Sequence, residues 1–388
     1  MARIAFIQNL SFEYLGVMSL SSLLKSQGHE VDVFIEHGQG LGRLSDEVAR
    51  FNPHLLGFPC TTGMHLWSLR SAEFLKKALP MALTIFGGPH PTFFPEVIEE
   101  GPVDIVCRGE GEGALSDLAA AIDAGKDHSR IENLWVKKEG EIVKNDVRAL
   151  IEDLDRFPFP DRTLYVKRYP FLNKSQKVFI IGRGCPFSCA YCFNHALKKL
   201  YEGQGSFVRF RSTDNVLQEI KNVKAAGGLK TVYIQDDTFG LQKTRALEFL
   251  GRYREEIAIP FICLLRADVT DEELVRKLKS AGCRSAFFGV ETGSQELRNL
   301  VLEKKLTDEQ ITRTASLLKQ YKIRFRTYNM FGLPGETLEE AFKTVTMNIE
   351  MKTDYPWSSL FQPFPGTRLG ELSRERHLLE SDSAGFAP

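Results

Sequence analysis

The sequence predicts an α/β protein made of two successive strand-and-helix series. Three observations carry this prediction. Short apolar runs rich in β-formers alternate with helical patterns over residues 1–126, and a second alternation of the same kind fills 177–370. Between them, residues 127–176 lose the pattern, and "DRFPFPDR" (155–162) places two prolines within eight residues.

The elements follow in order. In the first series the strands fall at 3–8 (RIAFIQ), 30–35 (EVDVFI), 55–60 (LLGFPC), 83–88 (LTIFGG) and 103–108 (VDIVCR), with helices near 15–27, 43–51, 64–79 and 112–124. Gly28 stands where the first helix must end, as a helix C-terminal glycine should. This is a Rossmann-like parallel sheet with helices on both faces, a fold that binds ligands at the carboxyl ends of its strands. Residues 127–176 read as an ordered linker. The second series has strands at 177–183, 231–237, 261–268, 285–291, 325–332 and 357–364, and a strongly periodic helix at 271–282. Six strands are too few for a closed eight-stranded barrel and suit a partial (β/α)6 barrel, with chemistry at the C-terminal strand ends. Residues 371–388 read as a tail or the start of a truncated C-terminal region.

Bulk properties narrow the function. The chain has 50 basic and 50 acidic side chains, so its formal charge is zero and no polyanion-binding surface is indicated; nucleic acid is not expected as a partner. "MARIAFIQNL" reads as a first buried strand rather than a signal peptide. No apolar stretch approaches the ~20 residues that span a bilayer. Of seven cysteines, Cys60, Cys107, Cys263 and Cys283 are scattered singly and read as core filler. A disulfide framework is therefore not expected, and a reducing cytoplasm is the natural setting.

The other three cysteines crowd into "GRGCPFSCAYCFN" (182–194): Cys185, Cys189 and Cys192. Three thiolates in a loop after a strand can hold a soft metal or an iron–sulfur cluster. Zinc asks for a fourth ligand, and only His195 is near in sequence. A 4Fe–4S cluster on three thiolates keeps one iron open to an outside ligand. Incidental core cysteines would not sit in a loop flanked by Gly184 and Pro186.

The C-x3-C-x2-C spacing, with Tyr191 before the last cysteine and a βα barrel following, resembles the radical S-adenosylmethionine (SAM) superfamily. The resemblance implies that SAM chelates the open iron and that an electron from the cluster cleaves it to methionine and a 5′-deoxyadenosyl radical. Asp236, Asp237 and Thr238 in "IQDDTF" (234–239) stand where many members carry a glycine–glycine–glutamate for the SAM amino group. Arg266 in "LRAD" (265–268) sits where a guanidinium pairs with the SAM carboxylate; a structural ion pair is the alternative. Glu291 and Ser294 in "FFGVETGSQELR" (287–298) match contacts to ribose or methionine. Gly332 in "FGLPGET" (331–337) matches the glycine motif beside the adenine, and "PFPGTRL" (363–369) the sixth strand end.

A Rossmann-like domain ahead of such a barrel resembles the cobalamin-dependent branch. "GGPHPTFFPE" (87–96) and "VDIVCRGEGE" (103–112) look like segments of that branch, which implies cobalamin contacts at Gly87, Gly88, His90, Gly109 and Glu110; Thr61 and Thr62 follow the third strand. Glycine there would let backbone approach the corrin or its nucleotide tail. Where many cobalamin domains carry D-x-H-x-x-G, this chain has "SFEYLG" (11–16): Ser11, Glu13 and Gly16. The glycine is present and the histidine is not, so the cobalamin is expected to lack a histidine lower ligand. His90 and His65 read as pocket-wall residues rather than cobalt ligands.

The resemblance implies an enzyme that transfers a methyl group to an unactivated carbon of a small-molecule or peptide substrate, with an electron donor such as flavodoxin or ferredoxin. Radical cyclisation, rearrangement or oxidation is the alternative outcome, and a non-catalytic iron–sulfur or corrinoid carrier the alternative of another class. A tRNA-modifying methylthiotransferase is disfavoured by the neutral charge and by the lack of a second three-cysteine set in the front domain.

Overall fold

Most strands of the first series carry apolar residues on both faces, as a sheet covered on both sides requires. The computed structural model describes residues 1–364 and 366–378. Its front unit runs β1 (Arg3–Gln8), α1 (Leu15–Ser26), β2 (Glu30–Ile35), α2 (Gly40–Phe51), β3 (Leu55–Pro59), α3 (His65–Ala78), β4 (Leu83–Gly87), the short α4 (Pro89–Phe93), β5 (Ile105–Cys107) and α5 (Glu112–Asp123). These five strands are parallel, in the order β2-β1-β3-β4-β5. One core lies on each face: Ile4, Phe6 and Ile105 under α1 and α5, and Ala5, Phe34 and Phe58 under α2 and α3.

The sheet continues beyond the parallel strands. β6 (Leu134–Lys138) and β7 (Glu141–Lys144) form a hairpin that pairs antiparallel with β5, so the front sheet has seven strands and is mixed at one edge. Glu139 and Gly140, at φ 52° and 85°, turn the hairpin, the left-handed pair that suits the twist of its strands. The sequence reading placed these residues in the linker. Lysines at 137, 138 and 144 mask the alternation, because an outer edge strand carries charge to discourage further pairing. The rest of 127–176 divides between the units: Val147 and Leu150 pack against Tyr201 of the second unit, and residues 164–172 join the front core. α6 (Thr163–Arg168) lies in this stretch, and Tyr165 and Tyr169 are buried, with Tyr165 Oη donating to Gln8 Oε1 at 2.8 Å and Tyr169 Oη accepting the Ile35 N–H at 2.7 Å.

The second unit opens with β8 (Gln176–Phe179) and the short β9 (Gly182–Arg183), then α7 (Phe193–Leu200) and β10 (Arg209–Phe210), which pairs antiparallel with β9. It continues α8 (Thr213–Ala225), β11 (Thr231–Ile234), α9 (Lys243–Glu256), β12 (Phe261–Leu265), α10 (Glu272–Ser280), β13 (Cys283–Glu291), α11 (Asp308–Gln320), β14 (Arg324–Phe331), α12 (Leu338–Glu350) and β15 (Tyr355–Leu360). The six parallel strands β8, β11, β12, β13, β14 and β15 lie side by side in chain order, and among the described residues no pairing joins β15 back to β8. The partial (β/α)6 barrel is as expected. Its core stacks Phe179, Phe261, Phe288 and Phe325 with aliphatic residues of the surrounding helices. α13 (Arg368–Glu375) follows, capped by Thr367; residues 379–388 of the expected tail lie outside the described residues.

Candidate active site

The cysteine loop is shaped by its flanks. Gly184, at φ +87°, has the Phe207 carbonyl oxygen 2.2 Å from where a Cβ would stand, so only glycine can enter the loop here. At the loop's centre the Ala190 N–H donates to the Leu302 carbonyl and the Ala190 carbonyl accepts the Leu369 N–H, each at 2.9 Å. Cys192 ends the loop as the cap of α7, its Sγ accepting the Asn194 N–H at 3.5 Å. The loop thereby turns Cys185, Cys189 and Cys192 into one pocket of about 230 Å³ at the carboxyl ends of the barrel strands.

The thiols suit a cluster better than a single ion. Among the described residues, no three His, Cys, Asp or Glu side chains converge tightly enough to hold one metal ion. A four-iron cluster asks for more widely spaced thiolates, which a nine-residue loop supplies. Burial pushes the Cys192 thiol up to about 11, so a thiolate at this position needs cationic neighbours, which the irons of a cluster provide.

The pocket's far wall carries the charges. Arg266 is buried, stacks over the Phe187 ring at 3.7 Å, points Nη1 at Cys189 Sγ (3.5 Å) and pairs with Asp268 at 2.9 Å. Its other Nη donates to the Lys304 carbonyl. Lys304 Nζ donates to Glu291 Oε1 at 2.5 Å and to Tyr191 Oη at 3.3 Å, and Tyr191 Oη donates to Glu291 Oε1 at 3.0 Å. Glu291 holds φ +68°, and a Cβ on Gly289 would stand 1.8 Å from its Oε1. A strained backbone and a glycine that leaves room thus serve one carboxylate, as functional sites often do. Sequence reasoning missed Lys304, which reads there as one cation of an ordinary charge run.

Asp237 and Thr238 complete this pocket, and Asp236 does not. Successive residues leave a strand end on opposite sides. Asp236 turns back and accepts the Ile181 and Gly182 N–H groups at 2.7 and 3.3 Å. Burial raises its carboxyl from 3.8 to about 7. A raised pKa means that the stability it lends is complete below pH 3.8 and is lost as pH rises through about 7. Thermal denaturation between pH 5 and 8 should show a fall in Tm that Asp236→Asn, which keeps an acceptor, largely removes; an equal fall in both proteins would contradict this.

Two more barrel residues stand apart from the pocket. Ser294 Oγ donates to Glu340 and receives the Leu297 N–H, and Gly332, at φ +75°, donates its N–H to Glu336 at 2.6 Å.

In the front unit, a cavity of about 280 Å³ opens at the carboxyl ends of β1, β3, β4 and β5. Phe6, Val17, Leu20, Ile85 and Leu115 make it apolar; Gly16, Thr61, Gly87, Gly88, Gly109 and Glu112 line it as well. A Cβ on Gly16 would meet nothing within 4 Å, and one on Gly87 or Gly111 only ordinary contacts, so this rim leaves space for a flat apolar group. Gly88 and Gly109 have a different reason: their Cβ atoms would strike the Cys60 carbonyl (3.0 Å) and Tyr201 Oη (1.9 Å). Thr62 and His90 stand beside the cavity, Thr62 Oγ1 being 3.2 Å from His90 Nδ1 while His90 stacks on His65 at 4.1 Å. Burial, then His65, lowers His90 to about 3. Ser11 is exposed, and Glu13 is paired with Lys177 of β8 at 2.9 Å. Glu110 pairs with Arg209.

A cleft of about 450 Å³ lies between the units. It shares Gly16 and Glu112 with the front cavity, and Asn194 and Asp237 with the cysteine pocket.

Two family models match this arrangement: a B12 binding domain over residues 10–119 and the radical SAM superfamily over 179–347. The chain belongs to the cobalamin-dependent radical SAM family. As a member it is an enzyme whose cofactors are a 4Fe–4S cluster, SAM and cobalamin, and the donor set and apolar cavity described above fit them. This family member is 28% identical over 371 residues to the uncharacterized methyltransferase PH0819 of Pyrococcus horikoshii, covering 94% of this chain and 79% of that one. It is 26% identical to the anaerobic magnesium-protoporphyrin IX monomethyl ester cyclase of Rubrivivax gelatinosus, covering 89% of this chain but only 65% of the cyclase. Its fold matches that of the radical SAM methyltransferase TsrM from Kitasatospora setae, solved with cobalamin and a [4Fe-4S] cluster, at TM-score 0.79 and 20% identity over 97% of this chain and 75% of TsrM. The cobalamin-dependent radical enzyme OxsB, solved with aqua-cobalamin and SAM, matches at 0.74 and 19% identity, covering 97% and 56%. No helix among the described residues is long and apolar enough to cross a membrane.

Proposed function

We propose that the protein is a cobalamin-dependent radical SAM methyltransferase acting on an unactivated carbon of a small-molecule or peptide substrate. The observation that carries this reading is the continuous path from cysteine pocket to cleft to front cavity, with Asp237 and Glu112 each facing two of the three spaces. A substrate in the cleft therefore borders both cofactor sites at once. When bound, the cluster and SAM supply a carbon radical and cobalamin supplies a carried methyl group.

The chain's own residues bind and orient. Cys185, Cys189 and Cys192 hold the cluster. Arg266 receives the SAM carboxylate, Glu291 the ribose hydroxyls, and Asp237 with Thr238 the amino group, while Tyr191 and Lys304 fix the Glu291 carboxylate. Gly16, Thr61, Gly87, Gly88 and Gly109 would border cobalamin in the front cavity. Glu13 is held by Lys177 and does not line the front cavity, and the loop it stands in has no histidine to offer a cobalamin bound there. In domain terms, residues 1–126 with the 134–144 hairpin form the cobalamin unit, and 177–370 the radical SAM unit. Flavodoxin or ferredoxin would supply electrons, and the four scattered cysteines, none of them in a disulfide, support a reducing cytoplasm.

Product counting tests the reaction. Methyl transfer consumes two SAM for each product and yields S-adenosylhomocysteine together with 5′-deoxyadenosine. Anaerobic turnover with candidate substrates should give the two in equal amounts; 5′-deoxyadenosine with a cyclised or rearranged product and no S-adenosylhomocysteine would replace methylation with the reaction of the cyclase relatives.

A further inference from the structure

The antiparallel ribbon β9–β10 sets Arg183 directly opposite Arg209. Arg183 stands two residues before the first cluster cysteine. Both guanidiniums reach across to the front unit, where Glu110 and Glu112 flank Gly111 on the turn from β5 into α5. Arg183 binds Glu112 at 2.5 Å and Glu110 at 3.4 Å; Arg209 grips Glu110 with both nitrogens, at 2.5 and 3.1 Å. Glu112 and Arg209 are buried. The Glu110 N–H is fixed on Tyr201 Oη at 2.7 Å, and Gly109 has no room for a Cβ against the same hydroxyl.

The same turn is a wall of the front cavity: Gly109, Gly111 and Glu112 all line it. One end of this four-charge link therefore bears on whatever fills the front cavity, and the other on the strand that delivers Cys185. The pairs are two cations on two anions, so the link is neutral and needs no outside ion. We infer that Arg183 is a positioning residue that couples the two cofactor sites: filling the front cavity sets the β5–α5 turn, and through Arg183 and Glu112 it sets the cysteine loop. The inference rests on the assignment of cobalamin to the front cavity and of the cluster to the loop. Because coupling between binding sites is reciprocal, a cluster in the loop must tighten the front cavity's hold on cobalamin by the same factor.

The experiment titrates hydroxocobalamin by absorbance into anaerobic full-length protein, once with its cluster and once after chelator has removed the cluster. In the wild-type protein, loss of the cluster should weaken cobalamin binding by ~5-fold or more. In Arg183→Gln the two dissociation constants should be equal within error. Arg183→Lys should keep part of the difference, and Arg183→Glu combined with Glu112→Arg should restore it. A role limited to holding the units together would instead weaken both forms alike and leave the ratio unchanged. An unchanged ratio in Arg183→Gln, or a ratio of one in the wild type, overturns the proposal. If Arg183→Gln does not fold, Glu112→Gln interrupts the same link with Arg209 and Glu110 intact. Failure of wild-type protein to bind hydroxocobalamin in either form would overturn the front-cavity assignment, and this proposal with it.

Discussion

Cys189→Ala should yield a folded protein without its iron–sulfur absorbance and with 5′-deoxyadenosine formation at the no-enzyme background. Cys189 is buried at the centre of the site, where it receives Arg266 Nη1 at 3.5 Å. Removing it leaves two thiolates for four irons and turns the Arg266 guanidinium toward an empty position. The fold should survive, because the loop's shape comes from Gly184, Ala190 and the cap of α7 rather than from the Cys189 sulfur. The decisive measurements are iron content per chain and SAM cleavage after anaerobic reconstitution. Cys263→Ala is the control: that thiol lies in the barrel core among Phe261 and Phe288 and should leave iron content untouched. Cleavage that persists in Cys189→Ala would end the cluster assignment.

Lys304→Met should cost ~3–5 kcal/mol of stability, because it leaves the Glu291 carboxylate buried without its cation. Both side chains are under a tenth exposed, and the remaining donor to Glu291 would be the Tyr191 hydroxyl. Pairing the change with Glu291→Gln removes the stranded charge, so the double variant should regain most of the loss in chemical denaturation. The two losses adding instead would mean that Lys304 acts through contacts other than Glu291. SAM affinity supplies the second readout. It should fall in every variant lacking the Glu291 carboxylate, stable or not, if that carboxylate holds SAM as proposed; unchanged affinity in a folded Glu291→Gln variant would remove Glu291 from the SAM site.

What was legible in the sequence was whatever repeats at short range. The strands of both units announce themselves by apolar runs of five or six residues between helical patterns, and the three cysteines by their spacing. The 134–144 hairpin was obscured by the lysines that protect a sheet edge. Asp236 and Asp237 are adjacent letters with opposite fates, because a strand end sends one into the pocket and the other back to the Ile181 and Gly182 amides. Lys304 meets Tyr191 across 113 positions and Glu13 meets Lys177 across 164. Pairings of that range leave no periodic trace; they are set by which loops the barrel brings to one end. Glycine was legible as a need for space but not as whose: Gly109, on the wall of the front cavity, also makes way for Tyr201 of the barrel unit.

The two backbone ties at Ala190 have a bearing on how far the three-cysteine signature can be moved. One runs to Leu302 and the other to Leu369, so the loop borrows its shape from residues more than a hundred positions downstream. A thirteen-letter peptide copied from 182–194 carries every thiol and none of the geometry. The signature is thus contiguous as text but distributed as an object: it is not a portable module, and grafting it elsewhere means transplanting most of the barrel as well.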